Sequence, residues 1–118
     1  MKLVFVYNAE SGWLNALKDA IHKTFKPSSY PCSLCALTYG SVSEKNVWRS
    51  FRQLSKIDME FLHIDEFENK YQQSFKYPVV LQHHEILEVV LTPQQLDQID
   101  SVETLMETVA YLPDSHSH

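Results

Sequence analysis

The sequence predicts an α/β domain with a small four-stranded mixed sheet and helices on both faces. Leu3 to Tyr7 is a continuous apolar, β-branched run of strand length, which reads as a strand covered on both sides. Strand-like and helix-like stretches alternate after it, the pattern of a sheet layered with helices. Two final strand-like stretches lie close enough to pair as a hairpin before a closing helix. The 118 residues make one domain by size, expected over 1–112, with a polar tail over 113–118.

After the first strand, Asn8-Ala9-Glu10-Ser11-Gly12 reads as a turn, with Ser11 as a helix cap. Leu14, Leu17, Ile21 and Phe25 then recur at helical spacing, predicting a helix over 12–25 that Pro27 ends. Pro31 suits a first helical position and Gly40 a position past a helix end, so 31–39 reads as a short helix. Ser41 and Glu44 form a capping-box pattern for a helix to about Ser55, with Val47, Phe51 and Leu54 inward and Trp48 beside them.

Met59 to Ile64 predicts the second strand, and Asp65 with Glu68 caps a short helix over 66–72. Val79 to Leu81 is the third strand, 82–85 a turn, and Ile86 to Leu91 the fourth. Thr92-Pro93-Gln94-Gln95 combines a cap, a proline and a reciprocal glutamine, a strong helix start. Ser101 restarts a helix whose apolar stripe is Val102, Leu105, Met106 and Val109, its acidic residues forming the solvated face.

Composition restricts function. A net charge of -5 disfavours a nucleic-acid partner, which calls for a basic face. No run approaches the ~20 apolar residues of a membrane span, so no membrane partner is expected. The apolar run at the start stops at Asn8, too short for a signal peptide, so a cytoplasmic location is expected. Two glycines leave no glycine-rich phosphate loop.

The chemistry concentrates at Cys32 and Cys35, the only cysteines. A thiolate near a helix start is stabilised by unpaired N–H groups, and three-residue spacing sets both sulfurs on one face. In that reading Cys32, after Pro31, attacks and Cys35 resolves. A zinc site is the alternative, with Cys32 and Cys35 supplying two ligands and His22 the nearest third. The pair also suits plain packing, since free cysteine is commonly buried. In a reducing compartment a permanent disulfide is not expected.

The element order, with Tyr77-Pro78 before Val79-Val80, resembles the thioredoxin-like fold. The chain is also similar to a small group of uncharacterised bacterial thioredoxin-like proteins carrying Tyr-Pro-Cys-x-Leu-Cys-Ala-Leu-Thr, here Tyr30 to Thr38. The resemblance implies a cis bond at Pro78 beside a redox site, and protein thiols or a small thiol as partners. It brings no established activity. The sequence departs from the thioredoxin pattern: cysteines are expected directly after the first strand, where Asn8 to Gly12 stand instead. The intervening helix, ~21 Å long, is expected to carry Cys32 and Cys35 to the opposite end of the sheet from Pro78.

A second candidate is a polar site beyond the strand ends, from Ser11, His63 and Asp65. Histidine there serves as acid or base. Helix capping by Ser11 and Asp65 is the competing account.

Overall fold

The computed structural model describes residues 2–8, 33–39 and 44–115, the side chains of 113–115 excepted. The expected helix over 12–25, Ser11, Cys32 and His22 lie outside the described residues.

The four strands are β1 (Lys2–Tyr7), β2 (Asp58–His63), β3 (Val79–His83) and β4 (Leu87–Leu91). They form one mixed sheet in the order β2-β1-β3-β4. β1 runs parallel to β2 and antiparallel to β3, and β3 pairs antiparallel with β4. The C-terminal ends of β1, β2 and β4 therefore share one edge of the sheet. The described helices are α1 (Ser33–Thr38), α2 (Asn46–Leu54), α3 (Ile64–Tyr71), α4 (Pro93–Gln98) and α5 (Val102–Ser115).

Alternation along β1 divides the core. Leu3, Phe5 and Tyr7 join a cluster with Leu34 and Cys35 of α1, Trp48 of α2, Leu96 of α4 and Leu105 of α5. Val4 and Val6 face the other way, onto Phe67 of α3 with Val79 and Leu81 of β3. Among the described residues one face of the sheet thus carries α1, α2, α4 and α5 and the other carries α3, and β1 is buried on both. Among the described residues no helix is long and apolar enough to cross a membrane.

Several boundaries differ from the sequence reading. Ile64 opens α3 instead of ending β2, and His63 stands in the cap position assigned to Asp65. Glu66 accepts the His63 backbone N–H at 2.9 Å, so the reciprocal contact sits two residues earlier than Asp65–Glu68 would place it. Gln82 and His83 belong to β3. Ile86 lies in the turn and is exposed, so β4 starts at Leu87.

The largest correction concerns α2. Trp48 is its buried anchor, while Val47 is 44% and Leu54 84% exposed. The indole edge meets Phe5 (5.8 Å between ring centroids) and Phe61 (6.2 Å), which turns the helix away from the predicted stripe. Glu44 does not cap this helix. It forms a bridge with Tyr39, and its carboxylate accepts both Nε and Nη2 of Arg52 at 2.7 Å, tying both ends of α2 together.

The start of α4 is as read. Thr92 Oγ1 accepts the Gln95 N–H at 3.1 Å, Gln95 Oε1 accepts the Thr92 N–H at 2.8 Å, and Pro93 fills the first turn. Ser101 Oγ accepts the Thr104 N–H at 3.1 Å and caps α5, which continues to Ser115 through the expected start of the tail.

Candidate functional site: the cysteine helix and the C-terminal edge of the sheet

Among the described residues α1 covers Ser33–Thr38 of the predicted 31–39, ending one residue early, and Cys35 lies within it. Cys35 is 0% exposed, enclosed in the cluster shared with Leu34, Leu37, Leu91 and Leu96. It is disulfide-bonded, where the composition led us to expect thiols at rest. Cys32, three residues earlier, is the only other cysteine in the sequence.

The segment after Cys35 is held at several points. Tyr39 N–H donates to the Cys35 carbonyl at 2.9 Å, and Thr38 Oγ1 donates to the Leu34 carbonyl at 2.9 Å. Lys45 N–H donates to the Thr38 carbonyl at 2.8 Å, which closes the loop onto α2. The Tyr39 ring stands edge-on to Tyr7, with centroids 6.1 Å apart. The Tyr7 hydroxyl lies beside the Thr38 and Tyr39 side chains.

Tyr7 is the last residue of β1, so α1 ends at the C-terminal edge of the sheet. Cys35 lies one helical turn from that contact, about 6 Å along the axis. The expectation that the inserted helix leaves its cysteines at the opposite end is corrected for Cys35. The reason is local: the tyrosine pair and the Thr38–Lys45 closure draw the end of α1 onto β1.

The same edge gathers other predicted residues. His63 is in register with Tyr7 on the parallel neighbour, and their rings lie 5.7 Å apart. Val6 pairs with Val79, so the next residues outward are Tyr7 and Pro78. Pro78 is buried, and the Tyr77–Pro78 bond is cis, at the position the resemblance implies. His63 Nδ1 donates to Glu66 Oε1 at 2.7 Å. The His63 backbone and ring contacts hold the Glu66 carboxyl below its usual range. Asp65 sits in the first turn of α3 and is exposed. The structure thus brings His63 and Pro78 to one edge with Tyr7, and it makes His63, not Asp65, the capping residue.

Burial dominates the electrostatics there. It pushes the Tyr7 hydroxyl far above the ordinary tyrosine range, and neighbouring Tyr39 adds to the shift. Burial and then the Glu44 charge raise Tyr39 as well. Both hydroxyls are neutral hydrogen-bonding groups at physiological pH. Sequence reading missed this pair because Tyr7 ends an apolar strand and Tyr39 precedes a glycine, which give no chemical signature.

A cleft of about 290 Å³ opens nearby, lined among the described residues by Phe75, Lys76, Val79, Val89, Thr92, Pro93 and Gln94. Val79 belongs to the cluster on the α3 face, whereas Cys35 belongs to the opposite cluster, so the cleft and α1 lie on different faces. No group of three or more metal-ligating side chains occurs among the described residues.

No protein-family model, curated protein or solved structure significantly matches this chain.

Proposed function

We propose that this chain is a thioredoxin-like thiol–disulfide redox protein with a displaced dithiol, Cys32 and Cys35. The observation that carries the reading is the disulfide at the buried Cys35, with the only other cysteine of the sequence three residues before it. The β2-β1-β3-β4 order, with β3 alone running opposite to the other three strands, supports the thioredoxin-like assignment. So does the placement of α1 at the strand-end edge, where ligands of open α/β sheets commonly bind.

In the reduced protein the Cys32 thiolate attacks one sulfur of a protein or low-molecular-weight disulfide. A Cys32–substrate mixed disulfide forms and the first substrate thiol leaves. The Cys35 thiolate then attacks Cys32 Sγ, the intramolecular disulfide forms, and the second thiol leaves. Two electrons pass from the dithiol to the substrate. A buried Cys35 suits the resolving role, because it is shielded from outside disulfides until Cys32 has reacted.

The test is equilibration in glutathione buffers of graded reduction, with thiol trapping and intact-mass counting, and metal analysis on the same sample. A reversible two-electron transition that disappears in C32S and C35S supports the proposal. A pair that stays oxidised even in excess reductant of the folded protein marks a structural disulfide and overturns it. Stoichiometric zinc bound through both cysteines overturns it in favour of the metal reading.

A further inference from the structure

An irregularity in β4 shapes the α3 face of the sheet. Leu81 pairs with Val89, but Val80 pairs with Leu91, so Val90 is an extra residue on β4. A regular strand would place Val89 and Leu91 on one face and Val90 on the other. Here Val90 and Leu91 are both buried in the cluster with α4 and α5, while Val89 pairs on the α3 side with Leu81. No β4 side chain follows Val89 on that face, and the cleft of about 290 Å³ lies there. Bulges often re-aim side chains in this way next to functional sites.

The walls of the cleft are fixed by contacts outside it. Phe75 packs on Phe67 of α3, with ring centroids 5.8 Å apart. The Phe75 N–H donates to the Tyr77 hydroxyl at 3.3 Å, and that hydroxyl donates to Glu68 at 2.8 Å. Lys76 thus lies on a segment pinned to α3 on both sides of it. On the facing wall, Thr92 and Pro93 are held by the capping box of α4. Val79 is buried between them, and Val89 beside it is 41% exposed. A preformed cleft of this kind costs little ordering when a ligand enters.

The lining sets the ligand. Phe75, Val79, Val89 and Pro93 offer apolar surface. Among the described residues the polar lining is Lys76, Thr92 and Gln94, with no carboxylate. Lys2 and Lys70 share Glu60, whereas Lys76 enters no ion pair among the described residues. Glu88, the acid of β4, pairs with Gln82 and so belongs to the other face of the sheet. We propose that this cleft binds a small amphipathic carboxylate, its apolar body among Phe75, Val79, Val89 and Pro93 and its charge against Lys76 at the rim. The volume is twice the ~150 Å³ that holds a benzene ring, which leaves room for a ring and a short acid chain. Thr92 Oγ1 already accepts the Gln95 N–H, so its own proton is a second donor for the carboxylate. A ligand amine or metal cation would meet Lys76 as a like charge. The cleft lies on the opposite face from α1, so the proposal does not rest on the dithiol.

The test titrates phenylpropionate into the isotope-labelled full chain and follows backbone amide shifts by NMR. Saturable shifts should centre on Phe75, Lys76, Val89 and Gln94, with a Kd on the order of a millimolar. Phenylpropanamide and phenylpropylamine should bind about threefold to tenfold more weakly, because they lack the charge-assisted contact. Lys76→Gln should bring the acid level with the amide. Val89→Trp fills the cleft from an exposed position and should abolish binding of all three. Circular dichroism checks both variants, and Lys76→Gln, at an exposed site, carries the test should Val89→Trp not fold. Shifts that do not saturate by about 20 mM acid, or that centre elsewhere, overturn the site. Acid and amide that bind equally well, or a Lys76→Gln protein that binds the acid as the wild type does, overturn the carboxylate assignment. The titration reads no redox step, so its failure and that of the dithiol reading are told apart.

Discussion

Glu60 offers a quantitative test of how α3 is fastened to the sheet. Its carboxylate lies on β2 and faces α3. Oε1 accepts from Lys2 Nζ at 3.0 Å and from the Tyr71 hydroxyl at 2.5 Å, and Oε2 accepts from Lys70 Nζ. Burial alone would raise this carboxyl, but the hydrogen bonds from Lys70, Tyr71 and Lys2 together outweigh it and hold the group at about 2, against an ordinary 4.5. At ~1.36 kcal/mol per pKa unit, that difference is worth roughly 3.4 kcal/mol undiminished. The lysine side chains are 26% and 52% exposed, so solvent screening reduces it to about 1–2 kcal/mol. A depressed carboxyl contributes fully above the unfolded value and loses its contribution as pH falls through the folded one. Glu60→Gln should therefore cost about 1–2 kcal/mol at pH 7, and the gap should close as pH falls from 4.5 to about 2. Urea unfolding of both proteins across that range measures it, since other carboxylates titrate equally in both. A variant as stable as the wild type at pH 7, or a gap undiminished at pH 2, would refute the clamp.

Three further outcomes are expected. Glu44→Ala should cost about 1–3 kcal/mol, because it leaves the half-buried Arg52 fork without its acceptor. A double-mutant cycle with Arg52→Ala in thermal unfolding should show most of that as coupling. Thr92→Ala removes the cap of α4 and should cost about 1 kcal/mol, with Thr92→Ser recovering most of it, as read from urea midpoints. Tyr77, pushed up to about 12 by burial and by donating to Glu68 at 2.8 Å, contributes stability below pH 10 that is lost as pH rises towards 12. Tyr77→Phe should therefore flatten alkaline unfolding between pH 10 and 12, and an unchanged alkaline limb would contradict the assignment.

Legibility in the sequence followed how local the determining physics is. The start of α4 was readable to the residue because its cap, proline and glutamine act within four positions. The four strands were readable from apolar runs and hairpin spacing, to within a residue or two at most ends. The facing of α2 was not, because two patterns compete there: a Val47–Phe51–Leu54 stripe and a single tryptophan. The aromatic pocket between Phe5 and Phe61 decides for Trp48, and that pocket exists only once β1 and β2 pair. The capping of α3 by His63 was hidden because histidine is an uncommon cap, and Asp65 offered a conventional one.

The site shows the same division in a form that bears on mechanism. The pair Cys32 and Cys35 is plain in the sequence, but the strand edge near which Cys35 lies is a tertiary property. That edge is set by Tyr7 and Tyr39, thirty-two positions apart, and by the backbone closure from Thr38 to Lys45. Because Tyr39 N–H also bonds to the Cys35 carbonyl, the anchor acts directly on the turn that holds the buried sulfur. The chain downstream of Cys35 is thus fixed to the central strand through one hydrogen-bonded turn. This anchoring supports the resolving role proposed for Cys35, which is enclosed in the cluster.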